Sequence, residues 1–379
     1  MHFNRRNLIL SGVAASVSVA SPWIQAQTKG GRKLLLGQSV PLTGAADQIG
    51  LAYFNGAKIY FDAINAKNGA AGYKIEVKTL DDGYNATKAA ANAKLLIDEG
   101  SDALFGFAGT ASCDAAFAVT KTSGIPFFAP FAASDALREA AAGNAFHVRP
   151  GLADEAYKVA RHCATLNQER IAVFAEEDAM GRAGLAAVIQ ALTDLKRPPI
   201  VASALSPVNS DKVDAAVATL MKANPQAIIQ VSLFNSSAAF IRKARKAGYG
   251  GQFLNFSVVG IDPLFTALGK EIGGIVISQV VPSPRSSATP IVKEYLAAID
   301  NSDQSPSYES LEGYIAAKSL AEAVRRAGKG FDKAGLQRAM TAMTNYDVGG
   351  FRINLRAGLR DSVRAIDLVS ITPDGKIIR

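Results

Sequence analysis

From Lys33 onward the chain alternates short apolar runs with amphipathic stretches of helical period, joined by short turns. That alternation leaves few choices of fold. Each crossover must return the chain parallel to its last strand, so the strands build parallel sheets with helices packed on both faces. Lys33 to Val40 reads as the first strand, and Ile49 to Ala66 as a helix with Phe54, Ala57, Ile59, Phe61 and Ile64 along one side, stopped by Asn68-Gly69. Tyr73 to Leu80 is the next strand, Asn85 caps a helix running to Glu99, and Ala103 to Phe107 is a third strand. After a strand at Phe146 to Arg149, Pro150-Gly151 breaks the pattern. The alternation then begins afresh, with helices at Ala153 to Leu166, Gly181 to Leu195, Asp211 to Ala223 and Ser236 to Ala247. Strands at Arg170 to Ala175, Pro199 to Ala204, Ala227 to Val231 and Phe253 to Phe256 fall between and after them.

Two α/β units also suit the length, since about 350 residues exceed what a single simple core usually encloses. Ile275 to Val281 is a strand followed by Pro282-Ser283-Pro284, a second crossing between the units. Helices at Pro290 to Asp300, Ser310 to Ala327 and Lys333 to Met340 then return to the first unit, and Phe351 to Leu355 and Ala365 to Thr372 read as antiparallel strands. The expected division is residues 33–149 with 280–347 in lobe 1, and 150–279 with 348–379 in lobe 2.

The place that invites a ligand is Gly109-Thr110-Ala111-Ser112, where the third strand gives way to a helix running toward Thr122. A helix that starts on Thr and Ser offers hydroxyls and free N–H groups together, which suits a carboxylate. A second such turn follows a short strand, Phe127 to Ala129: Pro130-Phe131-Ala132-Ala133-Ser134, opening a helix from Asp135 to Ala141. Either turn alone reads equally well as an ordinary helix cap. Two of them at adjacent strand ends form a crevice at the carboxyl edge of a parallel sheet, where α/β folds bind ligands.

The rest of the chain excludes more than it offers. Residues 1–26 read as an export signal: Arg5-Arg6, an apolar run from Leu8 to Ala20 too short to span a bilayer, and a cleavage site after Ala26. Asn4-Arg5-Arg6-Asn7-Leu8-Ile9-Leu10 is similar to a twin-arginine signal, with Sec export as the alternative. The net charge of +8 is dispersed, and its densest group, Arg242, Lys243, Arg245 and Lys246, lacks interleaved aromatics, so no nucleic-acid partner is expected. Cys113 and Cys163 read as buried free thiols, His147 and His162 as structural, and no cluster has zinc-ligand spacing. Asp81-Asp82 at a strand end reads as a pair of solvated turn acids. Nucleotide, phosphate, zinc-protease and serine-hydrolase motifs are all missing, so no cofactor or metal is expected and the chain reads as a binder rather than an enzyme.

Several segments together resemble the periplasmic leucine/isoleucine/valine-binding family of ABC importers. They are Gly37-Gln38-Ser39-Val40-Pro41-Leu42-Thr43-Gly44, Gly56-Ala57, Ile64-Asn65-Ala66-Lys67-Asn68-Gly69, Asp81-Asp82, Gly106, Thr110-Ala111-Ser112, Gly124-Ile125-Pro126, Asp178-Ala179-Met180-Gly181 and Arg242-Lys243-Ala244-Arg245-Lys246-Ala247-Gly248. The resemblance implies two Rossmann-like lobes joined by three crossings and closing on a ligand as a monomeric clamp that works with an inner-membrane permease from the periplasm. It carries the ligand carboxylate to Thr110, the Ala111 backbone and Ser112, with Phe131, Ala133 and Ser134 beside them, and gives the other lobe Asp178, Met180, the loop from Leu233 through Phe234 to Asn235, and Ser257. It also marks a departure. Where amino-acid-binding relatives place an acid for the ligand ammonium, this chain has Ser257, and aromatic positions read as Ile49, Met180 and Leu233. Each charge-assisted bond missing there costs roughly 1.5–3 kcal/mol. Asp178 could replace the acid; otherwise a plain aromatic or aliphatic carboxylate fits as well as an amino acid. Two other readings use the same residues: a ligand sensor for a membrane signalling receptor, and a hydrolase with Cys113 as nucleophile, which would lack a base partner.

Overall fold

The structure, a computed structural model, describes residues 32–132, 134–139, 143–355 and 366–378. The expected export signal and Ala133 lie outside the described residues.

The first sheet has strands β1 (Arg32–Val40), β2 (Tyr73–Asp81), β3 (Ala103–Phe105), β4 (Phe127–Phe128) and β5 (Ala145–Phe146), all parallel in the order β2-β1-β3-β4-β5. Helices α1 (Asp47–Asn65), α2 (Ala86–Asp98) and α3 (Thr110–Ser123) make its crossovers. Asn85 caps α2 through Lys88 N, as its sequence position predicts. The core is aromatic: Phe105 stacks on Phe128 at 6.2 Å, with Tyr53 and Phe61 against the same ring. Burying each such ring is worth about 1.5–3 kcal/mol.

The chain then enters the second sheet through α4 (Leu152–Thr165), β6 (Ile171–Glu176), α5 (Ala179–Asp194), β7 (Ala202–Ser206), α6 (Asp214–Lys222), β8 (Ala227–Val231), α7 (Phe234–Lys246), β9 (Gln252–Asn255), α8 (Ile261–Leu268) and β10 (Val276–Gln279). After helices α9 (Pro290–Ile299), α10 (Tyr308–Ala327) and α11 (Lys333–Thr341) come a small hairpin, β11 (Tyr346–Asp347) with β12 (Arg352–Ile353), and strands β13 (Asp367–Ile371) and β14 (Ile377–Ile378). The second sheet runs β14-β13-β10-β9-β8-β6-β7, with all strands parallel except β13, which is antiparallel to both its neighbours. The α/β class with predominantly parallel sheets is as the alternation requires.

The expected return of the late helices to the first sheet rests on two glycines. A Cβ on Gly56 of α1 would lie 1.8 Å from the Ser310 carbonyl, and one on Gly313 of α10 would lie 2.1 Å from the Tyr53 carbonyl. The two helices therefore touch backbone to backbone, a contact any side chain would push apart. The basic cluster on α7 serves its own unit: Arg242 pairs with Glu271, Lys243 with Asp214, and Arg245 bonds the Glu271 and Gly273 carbonyls.

Some expectations shift. The strand expected from Pro199 begins instead at Ala202, because Pro198 and Pro199 have no N–H for the ladder. In place of the helix expected from Asp135 to Ala141 there is one 3-10 turn, Ala136–Arg138, tied down by Arg138 donating to the Arg149 and Ala132 carbonyls; residues 140–142 lie outside the described residues. Helix α8 was not anticipated. The two late strands are antiparallel but not to each other: β12 pairs with β11, and β13 with β10. Because that hairpin spans positions 347 and 348, and Leu355 N bonds the Met343 carbonyl, the chain stays with the late helices past the expected division.

Candidate functional site

Beyond β3 and β4 the two strand ends stay joined. Phe131 N donates to the Phe107 carbonyl at 2.7 Å, Gly109 N donates to the Phe131 carbonyl at 3.0 Å, and Ala108 bridges Phe131 in parallel register. The two turns singled out in the sequence are thus hydrogen-bonded neighbours. Gly109 has φ +95°, and a Cβ there would lie 2.8 Å from the ring of Tyr84, so a glycine is required on both counts. As the residue before α3, Gly109 also supplies no capping side chain. The first turn of α3 therefore presents the positive end of its dipole with no capping side chain beside it. Thr110 and Ser112 are buried there, while the methyl of Ala111 is exposed.

The loops that hold this turn come from the β1 and β2 ends. Asp81 accepts from Leu42 N, Thr43 N, Thr43 Oγ1 and Gly83 N, and these bonds hold its carboxyl below the usual range. Asp82 is not the solvated turn acid expected. It is fully buried, accepts from Ser39 Oγ at 2.8 Å and Tyr84 N at 2.9 Å, and burial pushes its pKa up to about 6.

The opposing wall comes from the second sheet. β6 ends in Glu176, and Asp178 caps α5 by accepting from Gly181 N at 2.7 Å. Glu176 is completely buried, its Oε1 accepts from Asn209 N at 2.8 Å, and burial raises its pKa to about 7. Burial likewise raises Asp178. Helices α3 and α5 are in contact across the gap, and burial, with the nearby charges of Asp178 and Glu176, pushes the Tyr84 hydroxyl well above the usual range.

Between the walls is a narrow cavity. The first-sheet side gives Pro41, Ala46, Ile49, Gly50, Tyr84, Ala108, Gly109, Thr110 and Phe131; the second gives Met180, Leu233 and Val258. No acidic residue is among these lining residues. Of the expected site residues, Thr110, Phe131 and Met180 line the cavity, and Ile49 and Leu233 join them. Ala111 and Ser112 share the first turn of α3 with Thr110. Ser134 instead bonds the carboxyl of Asp114, Asp178 is engaged as a helix cap, and Phe234 is buried one residue past the lining Leu233. Pro41, Ala46, Gly50, Tyr84, Ala108 and Val258 also line the cavity and were not expected there. Tyr84 follows the Asp81-Asp82 pair that was read as solvated; its backbone is left-handed, φ +62°.

Ser257 is not an open end of the site. Its Oγ accepts from Arg149 Nη2 at 2.6 Å and donates to Glu155 Oε1 at 3.0 Å, while its N–H donates to Glu155 Oε2 at 2.9 Å. Ser278 adds a 2.6 Å bond to the same carboxylate. Arg149, 2 % exposed, lies 4.2 Å from the ring centre of Phe131 and faces Glu155 and Glu312 at 3.5 and 3.7 Å. Behind the apolar wall, then, sits a buried ion network whose partners are one another.

Comparison with known proteins decides the family. A family model described as periplasmic binding protein matches residues 34–376. The chain belongs to the periplasmic binding protein family. A relative in Brucella suis biovar 1 (strain 1330), Leu/Ile/Val-binding protein homolog 7, is 26% identical over 356 residues, covering 89% of this chain and 86% of its own. A solved structure of a possible leucine/isoleucine/valine-binding protein from Rhodopirellula baltica SH 1 superposes with a TM-score of 0.87 at 27% identity, over 93% of this chain and 98% of that one. A substrate-binding periplasmic protein from Ralstonia solanacearum gives a TM-score of 0.85 at 29% identity, over 91% and 99%. The resemblance read from the sequence is therefore correct, and this periplasmic binding protein has the sheets and helices of its relatives. The family binds solutes rather than transforming them, and its proteins are exported. No helix among the described residues is long and apolar enough to cross a membrane, and none of them forms a metal-holding group of His, Cys, Asp and Glu.

Proposed function

We propose that this protein is the receptor of an ABC importer, and that it closes over a small carboxylate with an apolar body, an aromatic or aliphatic acid without an α-ammonium. The observation that carries this reading is the uncapped start of α3 opening into a cavity with apolar walls and no acid among its lining residues. Thr110 and Ser112 hydroxyls and the Ala111 N–H would hold the carboxylate; Phe131, Met180 and Leu233 would pack on the body. Relatives named for leucine, isoleucine and valine carry an amino acid, whose ammonium needs an anionic partner. Asp178 already accepts from its own helix and Ser257 from Arg149, so neither supports that need.

The clamp reading divides the chain into lobes of 33–149 with 280–347 and 150–279 with 348–379, with the hairpin extending lobe 1 to about Leu355. The protein would act as a monomer in the periplasm, exported by a twin-arginine or a Sec signal, and deliver its ligand to an inner-membrane permease. A thermal-shift screen of aromatic acids, aliphatic acids, their amides and amino acids on refolded protein tests the ligand class. A ligand at 100 times its dissociation constant adds about 2.7 kcal/mol of stability. Stabilisation by acids and not by their amides is the expected result; stabilisation by amino acids alone would replace this reading.

A further inference from the structure

One hydrogen bond between the two walls joins residues remote in sequence from the chain crossings. Asn209, in the loop after β7, donates from Nδ2 to the carbonyl of Ala45 at 2.6 Å. Ala45 precedes the cavity-lining Ala46 at the start of α1, so the bond ties the rim of one wall to the rim of the other. Everything about Asn209 is arranged for that reach. Its backbone is left-handed, φ +46°, a conformation Asn tolerates better than other side-chain-bearing residues. Its N–H is held by the buried carboxyl of Glu176 at 2.8 Å, and its own Oδ1 accepts from Asn235 N at 3.2 Å, beside the lining Leu233. Next in the loop, Ser210 N donates to Ser236 Oγ at 2.8 Å. The loop is thus held at three points within the second unit, the side-chain amide itself through its oxygen, while its donor extends toward the first.

We infer that Asn209 is the latch of the clamp: its side-chain amide holds the closed form by donating to the Ala45 carbonyl, and Glu176 is the positioning residue that sets the loop. The inference rests on the clamp reading above. A latch placed at the rim acts with the longest lever against hinge opening, and a single neutral bond holds closure without making it irreversible. It sits outside the ligand-lining residues, so it sets the balance between open and closed rather than the choice of ligand.

The test uses spin labels at Ala91→Cys on α2 and Ala215→Cys on α6, both exposed, with Cys113 and Cys163 buried and shielded from labelling. Distances between the labels are measured by pulsed electron resonance in ligand-free protein. Asn209→Asp keeps the left-handed backbone and the acceptor but loses the donor; Asn209→Gly keeps the backbone at no steric cost and removes the side chain, so one folded variant remains if the other fails. Both should lower the ratio of closed to open about fivefold, the worth of one net hydrogen bond, with Asn209→Asp the more open because a carboxylate then faces a carbonyl. Identical distributions for the parent and both variants, whether open or closed, overturn the latch. The clamp reading is separately overturned if the parent's distances ignore every carboxylate that raises its melting temperature in the screen.

Discussion

The cavity lies between two helix starts that look alike in outline and differ in one residue. α5 begins after Asp178, whose carboxylate accepts from Gly181 N at 2.7 Å; α3 begins after Gly109, which has nothing to offer. Each helix end favours negative charge to the extent of about 0.3–1 kcal/mol, and more when buried. One has been given its anion by the sequence and the other has not. On the proposed reading, the α3 side takes the ligand's carboxylate and the α5 side closes over its apolar end.

That contrast can be broken from either side, and the largest effect is expected at α3. Thr110→Ala with Ser112→Ala removes two hydroxyls from the seat at roughly 1.5–3 kcal/mol each for bonds to a charged group, so affinity should fall by about a hundredfold or more. The melting temperature should move by no more than a few degrees, and calorimetry with the ligand found by screening would show both. Unchanged affinity would move the carboxylate elsewhere.

Next comes Glu176, under the α5 wall. Its pKa of about 7 lies above the ordinary carboxylate value of about 4.5, so the folded protein holds that proton more tightly than the unfolded chain. The stabilisation from this proton is complete below about pH 4.5 and is lost as pH rises through about 7, a change on the order of 3 kcal/mol. Glu176→Gln should remove that slope and leave a more stable protein at pH 8, read from denaturant unfolding across the range. A slope unchanged by the substitution would mean that another group carries it; Glu309, also raised to about 7 by burial, is the one to try next.

Ser257→Ala follows, at about 1–3 kcal/mol of lost stability, because it strips a partner from both Arg149 and Glu155 in a buried network. Ligand affinity should change less than stability does; the reverse would return Ser257 to the binding site. The smallest effect is expected from Asp178. Asp178→Ala should cost about 1 kcal/mol as a lost cap, while Asp178→Asn, which keeps the acceptor, should cost less. Neither should abolish binding. Loss of binding in Asp178→Asn alone would revive an ammonium-bearing ligand.

The sequence made the seat more legible than its surroundings, for a physical reason. Strand ends and helix starts are local, so the neighbouring turns at Gly109 and Phe131, the Asn85 cap and the return of α10 could be read from residue order. What decides the fate of a polar side chain is often distant. Ser257 looks like an open position until Arg149, 108 residues earlier, is seen to occupy it. Asp82 looks solvated until Ser39, 43 residues earlier, is seen to cover it. Tyr84 enters the cavity wall only because Gly109 leaves room for its ring. Asn209 lies in a loop with no motif at all, and its reach to Ala45 spans 164 residues.

The measurement that bears most directly on the contrast between the helix starts is a matched set of three ligands on whichever carbon skeleton the screen selects. They are the acid, its primary amide and its α-amino acid, each titrated by calorimetry at pH 7. An uncapped helix start facing an apolar cavity should bind the acid most tightly, the amide at least about tenfold more weakly for want of a charge, and the amino acid more weakly than the acid for want of an ammonium partner. Equal binding of acid and amide, or tightest binding of the amino acid, would contradict it.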